Sequence, residues 1–181
     1  MGRGPAAAAG EVGEIAVKGP GVTKEYFRRP DATRLAKIPV EPGSAEVWHR
    51  MGDLGHLDEQ GRLWFCGRKA HRVETGGGTL FSVCCEAVFN AHPRVRRTAL
   101  VGVGERPHQT PVIVVELARG DDGGRREQLT AELLALGAER PHTAGIREVL
   151  YHPGFPVDVR HNAKIRREDL AVWAARELGR G

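Results

Sequence analysis

The stretch Arg62-Leu-Trp-Phe-Cys-Gly-Arg-Lys-Ala-His-Arg-Val-Glu-Thr-Gly-Gly77 separates two parts of the chain that differ in character. Its first half is typical of the second strand of a hairpin, because a turn at 58–61 precedes it and Gly67-Arg68 closes it. Its second half runs into three consecutive glycines, and a segment with helical periodicity follows. The sequence therefore predicts a domain boundary near residue 70.

Residues 1–69 are predicted to be rich in β-strands. Glu14 to Lys18 alternates polar and apolar residues and ends in Gly-Pro, which predicts a strand and then a turn. A second strand is predicted to begin at Glu46. Between the two strands, Pro30 should stop any preceding helix, and Asp31 is predicted to cap a short helix that runs to Lys37.

Residues 70–181 alternate between helices and strands. The pattern predicts, in chain order, a helix over 84–91, strands over 98–103 and 112–117, a helix over 127–136, a strand over 146–151 and a helix over 166–178. Three strands and three helices in about 110 residues make a compact α+β domain. The predicted fold class is α+β: a small C-terminal domain with a roughly three-stranded sheet, preceded by a β-rich segment.

Composition excludes several classes of protein. Hydrophobic residues make up 40% and charged residues 28% of the chain, which is the balance of a globular protein rather than a disordered one. No apolar run approaches the roughly 18 residues of a membrane span, and the first ten residues do not form a signal peptide, so we expect a cytoplasmic protein. The net charge is +4, but the arginine pairs are dispersed among acidic residues. This dispersal favours a solvated arginine-rich surface over nucleic-acid binding.

The sequence does not indicate a metal or redox site. Its three cysteines are an odd number without C-x-x-C spacing, so reduced, partly buried thiols are expected. None of the eight histidines has a second histidine four residues away, the spacing that would direct two imidazoles at one metal from a helix.

Three short motifs carry candidate functional side chains. Trp48-His-Arg-Met-Gly-Asp53 ends in a carboxylate that can accept two hydrogen bonds at once, although an aspartate in a Gly-Asp turn can equally well cap the backbone. Gly76-Gly77-Gly78-Thr79 is typical of an anion-binding glycine turn or of a simple chain reversal. Lys164 precedes the last predicted helix, where a lone lysine is usually solvated. We expect it on an exposed loop.

The order and spacing of these motifs resemble the distal motifs of the adenylate-forming superfamily, which includes acyl-CoA synthetases, peptide-synthetase adenylation domains and luciferases. The stretch from Gly13-Glu14-Ile15 to Val22 is similar to the family's G-E-[LI]-x-[VI]-x-G segment, although Glu25 stands where the family usually has glycine. Trp48 to Asp53 is similar to its W-x-x-T-G-D motif. Gly67-Arg68-Lys69-Ala70 resembles its G-R-x-[DK] hinge, with Ala70 in the place of the charged residue.

Two further blocks follow in the order expected for that family. Val73-Glu-Thr-Gly-Gly77 and then Glu86 resemble the block I-K-x-x-G-x-x-V-x-P-x-E-I-E. Lys164-Ile-Arg-Arg167 with Leu170 resembles the terminal G-K-[IV]-x-R-x-x-L motif, with Ala163 in place of glycine. The resemblance covers nearly the whole chain.

The resemblance implies a role for each candidate residue. Asp53 would bind the two ribose hydroxyls of ATP, Arg68 would also contact the ribose, and Ala70 would be the hinge residue. Gly76-Gly77 would line the acceptor side of the site. Lys164 would be the catalytic residue, a compact charge on a flexible stem that stabilises the substrate carboxylate and the α-phosphate during adenylate formation.

Several details narrow the resemblance to one branch of the family. Ala36 to Pro39, Cys66 to Glu74 and Val157 to Ile165 are similar to the olefin-biosynthesis branch, the β-lactone synthetases often labelled fatty acid–CoA ligases. For that branch the resemblance implies ATP, with Mg in the complete enzyme, and a long-chain β-hydroxy acid whose own hydroxyl displaces AMP. Use of coenzyme A stays open, as does association with other lipid-biosynthesis enzymes.

Two alternatives also stay open: a fatty acyl-CoA synthetase, and a non-catalytic module that completes a partner's site. The family's phosphate loop, adenine pocket and acyl pocket lie upstream of these motifs, and residues 1–181 contain none of them. We therefore expect the chain to be a fragment of a larger enzyme and to be inactive in isolation.

Overall fold

The structure, a computed structural model, describes residues 7–121, 123–158 and 161–179, without the side chains of 161–163. Residue 160 and those three side chains, which precede Lys164 in the terminal motif, therefore lie outside the described part. The chain divides into two compact units, residues 1–70 and 71–181.

The first unit is built around one long strand. Its elements are β1 (Gly13–Val17), α1 (Pro30–Ala36), β2 (Lys37–Pro39), β3 (Val47–Leu57) and β4 (Leu63–Arg68). β3 pairs antiparallel with β1 on one side, and with β2 and β4 on the other. The four strands make one sheet, so this segment is rich in β-strands, as predicted.

The hairpin between β3 and β4 is fixed by the side chain of Asp58. This carboxylate accepts the backbone N–H groups of Gln60 at 3.0 Å and Arg62 at 2.8 Å, and the indole N–H of Trp64 at 2.8 Å. The Trp64 hydrogen bond is the main reason why the pKa of Asp58 lies below its ordinary value. The turn predicted at 58–61 is thus confirmed, and it sets the register of the two strands.

The start of α1 differs from the prediction. The helix begins at Pro30 itself, Arg29 occupies the N-cap position, and no side chain caps the helix. Proline suits the first helical position because the N–H group that it lacks has no partner inside the helix there. Asp31 instead lies in the first helical turn and pairs with Arg34 at 2.7 Å.

The second unit contains the predicted sheet and helices. Its elements are β5 (Val73–Thr75), β6 (Gly78–Leu80), α2 (Ser82–Phe89), β7 (Val95–Val103), β8 (Thr110–Leu117), α3 (Arg126–Ala138), β9 (Glu148–Tyr151), β10 (Val157–Asp158), β11 (His161–Ile165) and α4 (Arg167–Glu177). β7 and β8 pair antiparallel, and β8 and β9 pair parallel. The α+β class with a three-stranded sheet is confirmed.

Both faces of this sheet are buried against helices. On one face, Leu100 and Ile113 join a core cluster with Phe89 of α2 and Leu133 of α3. On the other face, alternate residues of β7 and β8 form a second cluster with Leu170 of α4. Burial on both faces explains why β8 contains the continuous apolar run Val112 to Val115, all fully buried.

Two hairpins were not predicted. β5 pairs with β6, and β10 pairs with β11, each antiparallel. Their strands have two to five residues, and the β5–β6 turn consists of two glycines with a third directly after them, so the sequence resembles a loop at both places. The β10–β11 hairpin leads into α4 and carries Lys164 on its second strand.

The interpretation of the arginine pairs as solvated does not hold for Arg97 and Arg167, whose side chains are only 24% and 17% exposed. Arg96 and Arg97 both bind Glu116, which is 4% exposed, and Arg167 binds Glu86, which is 7% exposed. Buried carboxylates require such partners, because an unpaired charge is poorly tolerated inside a protein.

None of the helices in the part of the chain that the structure describes has the length and apolar character of a membrane span.

Candidate functional site

Asp53 and Arg68 face each other on neighbouring strands of the first unit. They are directly paired in the β3–β4 register, and Nη1 of Arg68 lies 2.9 Å from Oδ1 of Asp53. The same Nη1 also donates to the Met51 carbonyl at 3.0 Å, which orients the guanidinium. Two residues that belong to separate sequence motifs are therefore brought into one pair.

The glycine before each member of this pair has a structural reason. Gly52 has a φ of +69° and Gly67 a φ of +121°, which are conformations that residues with a Cβ rarely adopt. The Gly-Asp and Gly-Arg dipeptides therefore place a positive-φ residue just before each of the two side chains. A residue with a Cβ would be strained at either position.

The pair retains the capacity to bind a polar ligand. The Asp53 side chain is 21% exposed and the Arg68 side chain 50% exposed. Arg68 engages only Oδ1, so Oδ2 of Asp53 accepts no hydrogen bond from the residues that the structure describes. A carboxylate with one free oxygen beside a guanidinium with unused donors suits a vicinal diol, which both donates and accepts hydrogen bonds.

A second cluster in the same sheet was not predicted. Glu14 binds Arg50, and its Oε2 also lies 2.8 Å from Nζ of Lys69. Burial raises the pKa of Glu14, but the hydrogen bonds from Arg50 and Lys69 outweigh burial, and the pKa lies below its ordinary value. The cluster joins all three motif blocks of the first unit and holds Lys69, the residue before Ala70.

Ala70 and the glycine loop lie where the chain changes direction. Ala70 is in a 3-10 turn, Lys69–His71, and is the last residue of the first unit. Gly76 and Gly77 form the tip of the β5–β6 hairpin, where the Thr75 hydroxyl accepts the N–H of Gly77 at 3.2 Å and donates to the Gly78 carbonyl at 2.9 Å. An N–H group that an anion would need is thus bonded within the turn, which favours a chain reversal over a phosphate cradle.

Lys164 lies on a strand rather than on the predicted loop. It is the penultimate residue of β11 and is exposed, whereas the next residue, Ile165, is buried in the second core cluster. The alternation of a strand therefore turns Lys164 outward when Ile165 is packed inward. Lys164 is also the only lysine in the sequence of residues 71–181.

A further ion pair lies next to Lys164. Glu86 of α2 binds Arg167, the first residue of α4, through hydrogen bonds of 2.8 to 3.2 Å. Both residues belong to the motif blocks, but their contact was not predicted, since they are 81 residues apart in the chain. Burial raises the pKa of Glu86 despite the opposing effect of Arg167.

The candidate residues are distributed over both units. Asp53, Arg68 and Ala70 belong to the first, whereas Gly76, Gly77 and Lys164 belong to the second. Within the described residues, no group of three or more His, Cys, Asp or Glu side chains could hold a metal ion.

The chain is similar to known proteins over nearly its whole length. No protein-family model matches the chain. Olefin beta-lactone synthetase of Xanthomonas campestris is 58% identical over 172 residues, which cover 94% of this chain and 31% of that protein. Two solved structures, each 27% identical, also align with the chain. Amide bond synthetase McbA from Marinactinospora thermotolerans has a TM-score of 0.76 over 94% of this chain and 32% of that one. O-succinylbenzoate coenzyme A synthetase of Bacillus subtilis in complex with AMP has a TM-score of 0.70 over 91% of this chain and 31% of that one.

The fold, the motif order and these relatives place the chain in one class: it belongs to the adenylate-forming superfamily. Within that superfamily the chain is homologous to olefin beta-lactone synthetase. It spans about a third of the length of the relatives that it matches.

Proposed function

We propose that the chain supplies the distal part of the active site of an ATP-dependent, AMP-forming enzyme that activates a carboxylic acid. The observation that carries this proposal is the Asp53–Arg68 pair, because two motifs that the family uses for one ribose meet here at 2.9 Å. The AMP held by the Bacillus subtilis relative supports a nucleotide as the ligand. Residues 1–69 would then belong to the large nucleotide-binding domain, and 70–181 would form the small mobile domain, with Ala70 as the hinge.

Lys164 is the catalytic residue of this proposal. In adenylate formation the substrate carboxylate attacks the α-phosphate of ATP, an acyl-phosphate bond forms, and pyrophosphate leaves. Both the attacking group and the phosphate are anionic, so a positive charge between them stabilises the transition state. The exposed position of Lys164 beside a buried Ile165 supports this role, because the strand is anchored while the ammonium is free to enter a site.

We further propose a long-chain β-hydroxy acid as the substrate and a β-lactone as the product. The β-hydroxyl oxygen would attack the acyl carbon, AMP would leave as its monoanion or dianion, and the hydroxyl proton would pass to solvent. An internal nucleophile has a high effective molarity, which favours closure without an external thiol. The 58% identity to an olefin beta-lactone synthetase supports this substrate over the acids of the coenzyme A ligases.

The proposal is tested by grafting. In a chimera, this chain replaces the matched segment of the Xanthomonas campestris synthetase. Because the two sequences are 58% identical, we expect this chain to fit the remainder of that protein. We expect carboxylate-dependent exchange of pyrophosphate with ATP by the chimera, and none by the 181-residue chain alone or by the synthetase lacking the segment. A folded chimera without exchange would contradict the proposal.

A further inference from the structure

Glu86 is a buried carboxylate that the proposed chemistry does not use. It is 7% exposed, and Oε1 accepts the backbone N–H of Leu100 in β7 at 2.9 Å. Nη2 of Arg167 donates to Oε1 at 3.0 Å and to Oε2 at 2.8 Å, and Nε of Arg167 donates to Oε1 at 3.2 Å. One side chain thus joins α2, the central sheet and the first residue of α4.

The residues just before Arg167 are held from the other side. Ile165 is 9% exposed in the core, and the N–H of Arg166 donates to the Pro156 carbonyl at 2.9 Å. His71 also contacts the first turn of α4 through Glu168, at 3.3 Å, but Glu168 is 71% exposed and this contact is correspondingly weak. Among these contacts, the Glu86–Arg167 pair is the buried, multiply bonded link at the start of α4.

We propose that Glu86 is a positioning residue for Lys164: through Arg167 it fixes the junction of β11 and α4, and so holds the strand end from which Lys164 projects. This proposal rests on the function proposed above. An extended, solvated lysine reaches a transition state efficiently only if its backbone is already in place, because misplacement by about 1 Å can lower a rate by about 100-fold.

The chain offers a matched control. Asp121 also takes two hydrogen bonds from one arginine, Arg94, at 2.7 and 3.0 Å, and one from a backbone N–H, that of Gly123, at 2.9 Å. Its side chain is 11% exposed, close to the 9% of the Glu86 side chain. The Asp121 pair lies at the loop before α3, and among the residues that the structure describes, none of its hydrogen-bond partners belongs to β11 or α4. Asp121→Asn therefore removes a carboxylate–arginine pair with the same hydrogen-bond pattern without addressing Lys164.

The first measurement uses the 181-residue chain. Glu86→Gln keeps an acceptor for the Leu100 N–H but removes the charge that binds Arg167. We expect hydrogen exchange at the Arg166 amide to accelerate at least about 10-fold in Glu86→Gln and to stay within about twofold in Asp121→Asn, as local opening predicts. Arg167→Lys keeps the charge but cannot bridge both carboxylate oxygens in the same way, so an intermediate acceleration is expected. This variant also serves if Glu86→Gln does not fold.

The second measurement uses the chimera. In Glu86→Gln we expect kcat of pyrophosphate exchange to fall about 10- to 100-fold with the KM for ATP within about twofold, whereas Asp121→Asn leaves both unchanged. Two results would overturn the positioning role alone. One is unchanged hydrogen exchange at the Arg166 amide in Glu86→Gln, and the other is a normal kcat in Glu86→Gln when Lys164→Ala is defective. Normal kinetics in Lys164→Ala would instead refute the function proposed for Lys164, and the positioning role with it.

Discussion

Replacing Lys164 with alanine in the chimera is expected to lower the rate of pyrophosphate exchange by about 10²- to 10³-fold, the effect of losing one preorganised charge-stabilising donor. The lysine meets charge that develops in the transition state, so the loss should fall mainly on kcat. Stability should change little, because Lys164 is exposed and its truncation removes no buried contact.

The neighbouring Arg166 provides the control for this prediction. It is also exposed and cationic, and it makes a surface pair with Asp169 at 2.7 Å. The rate of pyrophosphate exchange in Arg166→Ala should stay within about twofold of the unsubstituted chimera, since a surface ion pair of this kind contributes roughly 0–1 kcal/mol. If the rate of pyrophosphate exchange fell equally in the two variants, any positive charge at this strand end would contribute to the rate, and Lys164 would have no specific role.

Replacing Asp53 with asparagine is expected to raise the KM for ATP about 10- to 100-fold, because hydrogen bonds to a charged group contribute roughly 1.5–3 kcal/mol each. Asparagine keeps the size of the side chain but has one acceptor oxygen, and it leaves Arg68 without its carboxylate. The Asp53–Arg68 pair is partly exposed, so its loss should cost the fold at most about 1 kcal/mol. The effect should therefore appear in nucleotide binding rather than in unfolding.

Asp58→Asn is the matched change for Asp53→Asn. Asp58 lies in the same hairpin and pairs with Arg62 at 2.6 Å, but it belongs to the turn and not to the Gly-Asp motif. Asparagine keeps an Oδ1 acceptor for the backbone N–H groups of Gln60 and Arg62, so the turn and its register should hold, and we expect an unchanged KM for ATP in this variant. If the two substitutions weakened ATP binding equally, the effect would come from the hairpin as a whole and the ribose role of Asp53 would be wrong.

The parts of the fold that the sequence predicts are those with a strong local pattern. β7 and β8 are long apolar runs buried on both faces, and α3 was predicted within two residues of its observed ends. The hairpins β5–β6 and β10–β11 were missed because strands of two to five residues, next to glycine or proline, do not display a period. The prediction of a loop at Lys164 failed for the same reason.

The candidate site divides in the same way. The resemblance identified Asp53, Arg68 and Lys164 one by one, and the turn at Asp58 brings the first two into register only 15 residues apart. The links of Glu14 to Lys69 and of Glu86 to Arg167 span 55 and 81 residues. Such contacts depend on how sheets and helices pack, and local sequence patterns do not reveal which distant charges will meet.

The most direct test of the central claim is product analysis of the chimera with a long-chain β-hydroxy acid and ATP, in the presence and absence of coenzyme A. We predict a β-lactone, AMP and pyrophosphate in equal amounts without any thiol. An acyl thioester as the sole product, formed only when coenzyme A is present, would contradict the claim.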